Sequence, residues 1–175
     1  MSVNSYAKIN LFLRIGKKIS SGYHNIQSVM QKIELSDNIS IEPLSEDKIV
    51  IESTNKELEN ENNLAYRAAL LLKNRFKVRN GVRIYIEKNI PLSAGLGGGS
   101  SDAATALLSL NKLWSLKLKE KQLIEMASQI GTDVPFFIGE NAALVEGIGD
   151  KIKRIKKSFS INIVIINPGF RISKK

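Results

Sequence analysis

The segment Pro91–Leu108, PLSAGLGGGSSDAATALL, constrains this chain more than any other part of it. Four of the five positions 95–99 are glycine, and an alanine-rich apolar stretch follows directly. Glycine adopts positive φ and lets a ligand approach the backbone, so a glycine run entering a helix can turn successive N–H groups toward one point. The helix start adds unpaired N–H groups and the positive end of the helix dipole. The pattern favours a phosphate site, with a purely structural turn as the alternative.

The predicted phosphate site covers the whole loop and the first residues of the helix. Its members are Pro91, Leu92, Ser93, Ala94, Gly95, Leu96, Gly97, Gly98, Gly99, Ser100 and Ser101. The two serines can cap the helix, and their hydroxyls can reach phosphate or a phosphate-bound metal. A Walker A loop is excluded because no Gly-Lys-Ser/Thr ends the run. A dinucleotide fingerprint starting at position 95 would need glycine at position 100, where serine stands.

Hydrophobic periodicity predicts strands and helices in an order that does not alternate regularly. The predicted strands are Tyr6–Leu13, Tyr23–Leu35, Asn38–Leu44, Lys48–Ser53, Val82–Glu87, Ala142–Glu146 and Ile161–Ile166. The predicted helices are Leu64–Phe76, Ser101–Leu113 and Glu120–Ile130, while 133–138 is too short and too marked by proline to be a long helix. Several strands, a helix, a strand, two helices and further strands are typical of an α+β fold.

Composition narrows the classes of function. The chain of 175 residues contains no cysteine and one histidine, His24. A disulfide framework, a zinc–thiolate site and a cysteine nucleophile are therefore excluded, and a Ser-His-Asp triad or His-rich metal site is disfavoured. The sequence shows neither a membrane-spanning apolar run nor the pattern of a signal peptide. We expect a protein of the reducing cytoplasm that has no membrane partner.

The formal net charge is +9, and much of the excess lies in KIKRIKK, Lys151–Lys157. A basic surface can bind nucleic acid, an anionic membrane surface or a phosphorylated small molecule. A solvated lysine-rich surface is the simpler interpretation, which leaves polyanion binding as the minor alternative.

The loop PLSAGLGGGSSDAA resembles the nucleotide-binding motif of the GHMP small-molecule kinases, which include galactokinase, homoserine kinase, mevalonate kinase and phosphomevalonate kinase. Within this superfamily, AKINLFLRIG, GYHNIQSVMQ and GTDVPFF resemble the kinases that phosphorylate 4-diphosphocytidyl-2-C-methyl-D-erythritol in non-mevalonate isoprenoid biosynthesis. The resemblance implies a ribosomal protein S5 domain 2-like fold, a mixed sheet with helices packed on one side. It also implies transfer of phosphate from ATP to the substrate's 2-hydroxyl. Mg²⁺ is implied by the ATP chemistry, and the sequence names no protein ligand for it.

The resemblance implies two catalytic residues. Asp133, in Gly-Thr-Asp-Val-Pro, matches the family's catalytic aspartate, although by pattern alone Thr132 or Asp133 would cap a short helix. Lys8 matches a lysine that pairs with this aspartate and favours an alkoxide-like oxygen, although an exposed lysine on an edge strand is the usual explanation.

The resemblance also implies binding residues for both substrates. Asn10 would contact the erythritol portion, and Tyr23 and His24 would recognise the cytidine group by stacking and hydrogen bonding. Asn63 and Lys88 resemble positions on the adenine side of the ATP site.

In this family a second domain follows and supplies part of the substrate cleft. We therefore expect residues 1–166 to form the nucleotide-binding domain and residues 167–175 to begin a second domain. Turnover by residues 1–175 alone would then be impaired, and apolar surface left open could drive self-association. Two alternatives remain at this stage, a GHMP kinase acting on homoserine, mevalonate or a sugar, and a basic nucleic-acid-binding module.

Overall fold

The computed structural model describes residues 1–19, 22, 24–139, 141–156 and 162–168. The elements follow one another as β1 (Ser2–Lys18), β2 (His24–Leu44), β3 (Ile49–Ser53), a 3-10 turn (Lys56–Leu58), α1 (Leu64–Phe76), β4 (Gly81–Glu87), α2 (Gly98–Leu113), α3 (Glu120–Ile130), α4 (Val134–Ile138), β5 (Ala142–Gly147) and β6 (Lys151–Arg154). The α+β class is confirmed. None of the helices in these ranges is long and apolar enough to cross a bilayer.

The six strands form one mixed sheet organised around the long strand β2. β2 pairs with β1 along most of its length. The second half of β2 also pairs with β4, and the first half with β5. All three pairings are antiparallel. β3 and β4 are parallel, because α1 carries the chain back across the sheet between them. β6 pairs antiparallel with β5.

The helices bury one face of this sheet. β4 alternates strictly, and its inward residues Val82, Ile84 and Ile86 are fully buried against the helices. α2 is the central helix, since almost every residue from 101 to 110 is buried. Its alanines at 103, 104 and 106, with Ala65, Ala68 and Ala69 of α1, allow the two helices to approach closely. α2 is therefore packed closely within the core, and this packing restrains the position of its N-terminus.

The structure differs from the predicted elements in three respects. The predicted strands 23–35, of which position 23 lies outside the described residues, and 38–44 belong to the single strand β2 from His24 onward, because Ser36 and Asp37 pair with Tyr6 and Ser5 of β1 rather than forming a turn. α2 starts at Gly98, three residues before the predicted start. Residues 162–166, predicted as most of a strand, are not in a strand, and position 161 lies outside the described residues.

The predicted alternation of β1 also breaks. A register shift between Asn10 and Phe12 changes which side chains face the protein, so that Leu11 and Leu13 are 44% and 47% exposed. Another shift lies between Tyr6 and Lys8. Tyr6, Lys8 and Asn10 were predicted to share a face, and the side chains of Lys8 and Asn10 do meet in a hydrogen bond of 3.4 Å. Lys8 is nevertheless buried, whereas Tyr6 and Asn10 are exposed.

Candidate active site

The glycine loop, residues 91–97, connects β4 to α2 and is attached to β1 by a backbone hydrogen bond. The N–H of Lys8 donates to the carbonyl of Leu96 at 2.8 Å, and the Leu96 side chain is buried against Ala7 and Ile90. Gly97 then turns the chain into α2 with φ of +72°. A Cβ at this position would lie 2.8 Å from Cζ of Phe137 and 3.0 Å from Cγ of Lys8. Glycine is therefore required at position 97 both by its backbone conformation and by its neighbours.

The amides at the end of this loop are unbonded within the described chain. There, the backbone N–H groups of residues 95 to 100 donate to no protein oxygen, and the first bonded amide is that of Ser101, which donates to Gly97 O at 2.9 Å. Gly97 occupies the N-cap position of α2 and has no side chain with which to cap it. Successive free amides at the start of a 16-residue helix form a concentrated site of positive potential for an anion.

Lys8 lies beside this loop. Its side chain is only 6% exposed, and its Nζ lies 3.9 Å from Oδ2 of Asp133 and donates to Oδ1 of Asn10 at 3.4 Å. The Asn10 oxygen also accepts from Ser28 Oγ at 3.3 Å, which fixes the amide group. An ammonium buried at this depth is not the exposed edge-strand lysine of the simpler explanation. It is a desolvated charge held next to a carboxylate.

Asp133 stands at the N-cap position of α4, directly before five buried residues. Its side chain makes no capping hydrogen bond, although capping was the simpler explanation of this segment. The carboxylate is 34% exposed and so is reachable from solvent on one side and from Lys8 on the other. This geometry suits a proton acceptor, because a carboxylate spent on capping would have one oxygen fewer to offer.

A buried charged cluster of three residues underlies the loop. Nζ of Lys88 contacts Oδ2 of Asp37 and lies 2.9 Å from Oδ2 of Asp102, and all three side chains are at most 5% exposed. Asp37 Oδ1 also accepts from the backbone N–H groups of Asn89 and Ile90, at 2.7 and 2.8 Å. Asp37 thereby holds the segment that leads into the loop, and Lys88 ties this segment to α2.

This cluster carries two carboxylates for one ammonium, and its charges do not balance when all are ionised. Burial raises the pKa of Asp102 to about 7; the Lys88 ammonium opposes this rise and the Asp37 carboxylate adds to it. Oδ1 of Asp102 is buried and has no hydrogen-bond partner within the described residues. Asp102 is thus poised between its protonated and ionised forms near neutral pH.

The sequence did not identify Asp37 or Asp102 as part of any site. Asp102 belongs to the Ser-Ser-Asp end of the glycine motif, which could have drawn attention to it. Asp37 fell in the gap between two predicted strands and resembled an ordinary turn residue. Lys88 was predicted to line the adenine side, but its ammonium is engaged by the two carboxylates.

The remaining predicted residues lie farther from the Lys8–Asp133 pair. Asn63 caps α1, since its Oδ1 accepts from Ala65 N and its Nδ2 donates to Leu58 O, both at 2.9 Å. His24 is exposed, pairs with Lys18 at the far end of the β1–β2 ladder and donates from Nδ1 to Gly16 O at 3.0 Å. Tyr23 lies outside the described residues. The described structure therefore brings together Lys8, Asn10, Asp133 and the loop, and it leaves His24 at the other end of β1. Asn63 caps α1, whose first residue Leu64 has its Cδ1 3.8 Å from a Cβ built at Gly99 of the loop.

A pocket of about 530 Å³ opens at the beginning of the loop. It is lined by Thr54, Asn55 and Lys56 on one side and by residues 88–92 on the other. The pocket adjoins residues 91 and 92, which lead into the segment with free amides at 95–100, so a ligand could place a ring system in the pocket and an anionic tail on the loop.

The described residues contain no group of three or more His, Cys, Asp or Glu side chains arranged to hold a metal ion. Magnesium bound to a nucleotide commonly keeps several waters and takes few protein ligands. Of the two serines at the helix start, Ser101 is buried and its hydroxyl accepts from Ser5 Oγ at 2.8 Å. Ser100 is the more accessible of the two to a metal–phosphate group.

Comparison with known proteins supports the resemblance found in the motifs. Residues 63–140 match the family described as GHMP kinases N terminal domain. A Caldicellulosiruptor bescii protein named 4-diphosphocytidyl-2-C-methyl-D-erythritol kinase is 48% identical over 174 residues, which cover 99% of this chain and 61% of that protein. The Clostridioides difficile protein of the same name is 45% identical over 175 residues, 99% of this chain and 59% of its own length.

A solved structure described as 4-(cytidine 5'-diphospho)-2C-methyl-D-erythritol kinase matches with a TM-score of 0.76 and 37% identity, covering 89% of this chain and 55% of that one. The resemblance inferred from the sequence is confirmed by these matches. The chain spans about three fifths of the length of the curated relatives.

Proposed function

We propose, on the premise that this chain carries the N-terminal domain of a GHMP kinase, that it phosphorylates the 2-hydroxyl of 4-diphosphocytidyl-2-C-methyl-D-erythritol with ATP. The observation that carries this proposal is the row of free amides at residues 95–100, in a loop that is hydrogen-bonded to the backbone of Lys8, whose ammonium lies 3.9 Å from the Asp133 carboxylate. A phosphate donor and a proton acceptor are the two requirements of such a transfer.

The amides of the loop would bind the β- and γ-phosphates of ATP, and the 530 Å³ pocket would receive the adenine. Mg²⁺, when bound, would neutralise charge on those phosphates, held mainly by phosphate oxygens and water with Ser100 within reach. This phosphate site needs no side-chain cation of its own, because the backbone and the helix start supply the positive potential.

Asp133 would accept the proton of the substrate hydroxyl as its oxygen attacks the γ-phosphorus. The bond from that phosphorus to the bridging oxygen then breaks, and ADP departs. Lys8, 3.9 Å from the carboxylate, would stabilise the negative oxygen as it forms. Asn10 would orient the substrate through the part of its amide that Lys8 and Ser28 leave unused.

The names of the relatives favour the cytidyl substrate over the alcohols of other GHMP kinases and over nucleic acid. Tyr23 and His24 remain the predicted cytidine contacts. An elongated substrate is consistent with this assignment, because His24 lies ten β1 residues along the ladder from Lys8. Because ATP is available there, the proposal places the reaction in the cytoplasm.

The test is a calorimetric titration of the chain with a non-hydrolysable ATP analogue, with and without the cytidyl alcohol, followed by turnover assays. Asp133→Asn should bind the analogue as the unaltered chain does and lose turnover by roughly 10²- to 10⁴-fold. Asp47→Asn, the same change at an exposed aspartate, serves as the control. Analogue binding that is undetectable would overturn the phosphate site, and undiminished turnover in Asp133→Asn would overturn the role of the base.

A further inference from the structure

Lys32 of β2 makes three hydrogen bonds to the end of α4 and the residues that follow it. Its Nζ donates to the carbonyls of Phe137 at 3.1 Å and of Gly139 at 2.9 Å. Its backbone N–H donates to the carbonyl of Asn141 at 2.7 Å. The ammonium also lies 6.0 Å from the centre of the Phe136 ring. Lys32 thus binds the C-terminal end of α4, and Asp133 stands at the N-terminal end of the same helix.

Lys32 and Lys8 are direct partners across the β1–β2 ladder. Like charges in such a pair repel each other, so each ammonium needs its own compensation. The Lys8 ammonium is compensated by the Asp133 carboxylate at the N-terminal end of α4. The Lys32 ammonium is compensated by the carbonyls at the C-terminal end. Carbonyls at a helix end have no partner within the helix and favour a cation. The two lysines therefore hold the five-residue helix from opposite ends.

α4 has five residues, all of them buried, so a contact that holds its C-terminal end also restrains its N-terminal end. Phe137, whose carbonyl Lys32 holds, presents its ring to Gly97 of the loop. Asp133 lies one turn earlier on the same helix. A displacement of α4 along its axis would thus move the carboxylate relative to Lys8 and the ring relative to the loop together.

We propose that Lys32 is a positioning residue for Asp133, which fixes the carboxylate against Lys8 and the glycine loop by holding the C-terminal end of α4. An effect of Lys32 on phosphoryl transfer rests on the proposed function. Its effect on the position of the Asp133 carboxylate does not. Since misplacement of a reacting group by about 1 Å can cost roughly 100-fold in rate, a long-range positioning contact has a measurable effect.

The test compares Lys32→Met with Lys73→Met. Lys73 is a matched control because its ammonium also donates to a backbone carbonyl, that of Asn80 at 2.9 Å, and also lies 5.9 Å from an aromatic ring, that of Trp114. It belongs to α1 and contacts neither α4 nor Lys8 in these interactions. Lys32→Arg keeps a cation that can donate to two carbonyls and serves as the rescue variant.

Two measurements on the chain itself need no turnover, namely the ¹³C carboxyl resonance of Asp133 and the hydrogen exchange of the α4 amides. In Lys32→Met we expect the resonance to move and exchange of α4 to accelerate about tenfold or more relative to the rest of the core. Lys73→Met should leave both as in the unaltered chain, and Lys32→Arg should restore them. An unchanged Asp133 resonance in Lys32→Met, or equal changes in both methionine variants, would overturn the proposal.

Turnover supplies the functional arm. Lys32→Met should lower kcat by roughly 10- to 100-fold while the affinity for the ATP analogue stays constant, and the loss should largely vanish in an Asp133→Asn background. Failure of the proposed function would show differently, as absent analogue binding or transfer in the unaltered chain while the resonance and exchange effects of Lys32→Met persist.

Discussion

Replacing Asp102 by asparagine should make the stability of the folded chain less sensitive to pH. Asp102 is the second carboxylate on the single ammonium of Lys88, and its unpartnered Oδ1 is buried. Ionisation leaves the cluster with one uncompensated negative charge. Asparagine has nearly the same shape and cannot ionise, and Lys88 keeps Asp37 as its counter-charge.

The magnitude follows from the pKa of Asp102, which burial raises from its ordinary 3.8 to about 7. The folded chain therefore holds this proton more tightly than the unfolded chain does. The resulting stabilisation is complete below about pH 4, decreases as the pH rises, and is lost above the folded-state pKa. The full difference corresponds to about 4 kcal/mol, of which more than half falls between pH 5 and pH 8.

Urea unfolding at several values between pH 5 and pH 8 measures this quantity. The free energy of unfolding of Asp102→Asn minus that of the unaltered chain should rise by roughly 2–3 kcal/mol over the range, whatever its value at pH 5. Taking the difference cancels the groups that titrate in both proteins. Asp47→Asn, at a 60% exposed carboxylate, should give a flat difference. A flat difference for Asp102→Asn as well would refute the assignment of a buried, proton-binding carboxyl.

Two further substitutions separate structural from ligand-binding roles. Gly97→Ala should destabilise the chain by about 1–3 kcal/mol in thermal unfolding, because φ is +72° and the new Cβ would meet Phe137. Gly99→Ala, whose Cβ would meet only Leu64 Cδ1 at 3.8 Å, should not, and equal melting temperatures would contradict this account. Asn63→Ala should cost about 1 kcal/mol through the lost helix cap and leave the affinity for an ATP analogue unchanged, whereas a large loss of affinity would restore its predicted adenine contact.

Local periodicity predicted much of the fold. The bounds of α1 and α3 are as predicted, and β4 begins only one residue early, because each has a repeating apolar pattern and a clear stop. The continuity of β2 could not be read locally, since it depends on pairing with β1 through residues 36–38. α2 also starts earlier than predicted, at Gly98, where a Cβ would lie 2.8 Å from Lys88 Nζ and 3.0 Å from Ile90 Cγ2, so the residue at this position depends on neighbours outside the helix.

The candidate site likewise contains parts that the local sequence predicts and parts that depend on residues distant in sequence. The loop, Lys8 and Asp133 were predicted from contiguous motifs, and the structure brings them together. The contacts that hold them were not predicted, because the partners are distant in sequence. Lys88 and Asp37 are 51 residues apart, and Lys32 and Phe137 are 105 residues apart. Neither Lys32 nor Asp37 belongs to a pattern that distinguishes it from an ordinary polar strand or turn residue.

The four glycines that first suggested a phosphate site do not all serve it in the same way. A side chain at position 97 would displace Lys8 or Phe137, and one at position 98 would meet Lys88 Nζ at 2.8 Å. These two glycines are required by the protein's own packing around Lys8 and around the buried charged cluster. Gly95, with φ of +75°, has nothing within 4 Å of a Cβ, and Gly99 meets only one methyl group. The open space for an anion thus lies at Gly95 and Gly99. Gly97 and Gly98 allow the loop to pack closely against Lys8 and Lys88 at the start of α2. Phosphate binding and the placement of the proposed base therefore depend on one short segment, and a change at its centre should disturb both.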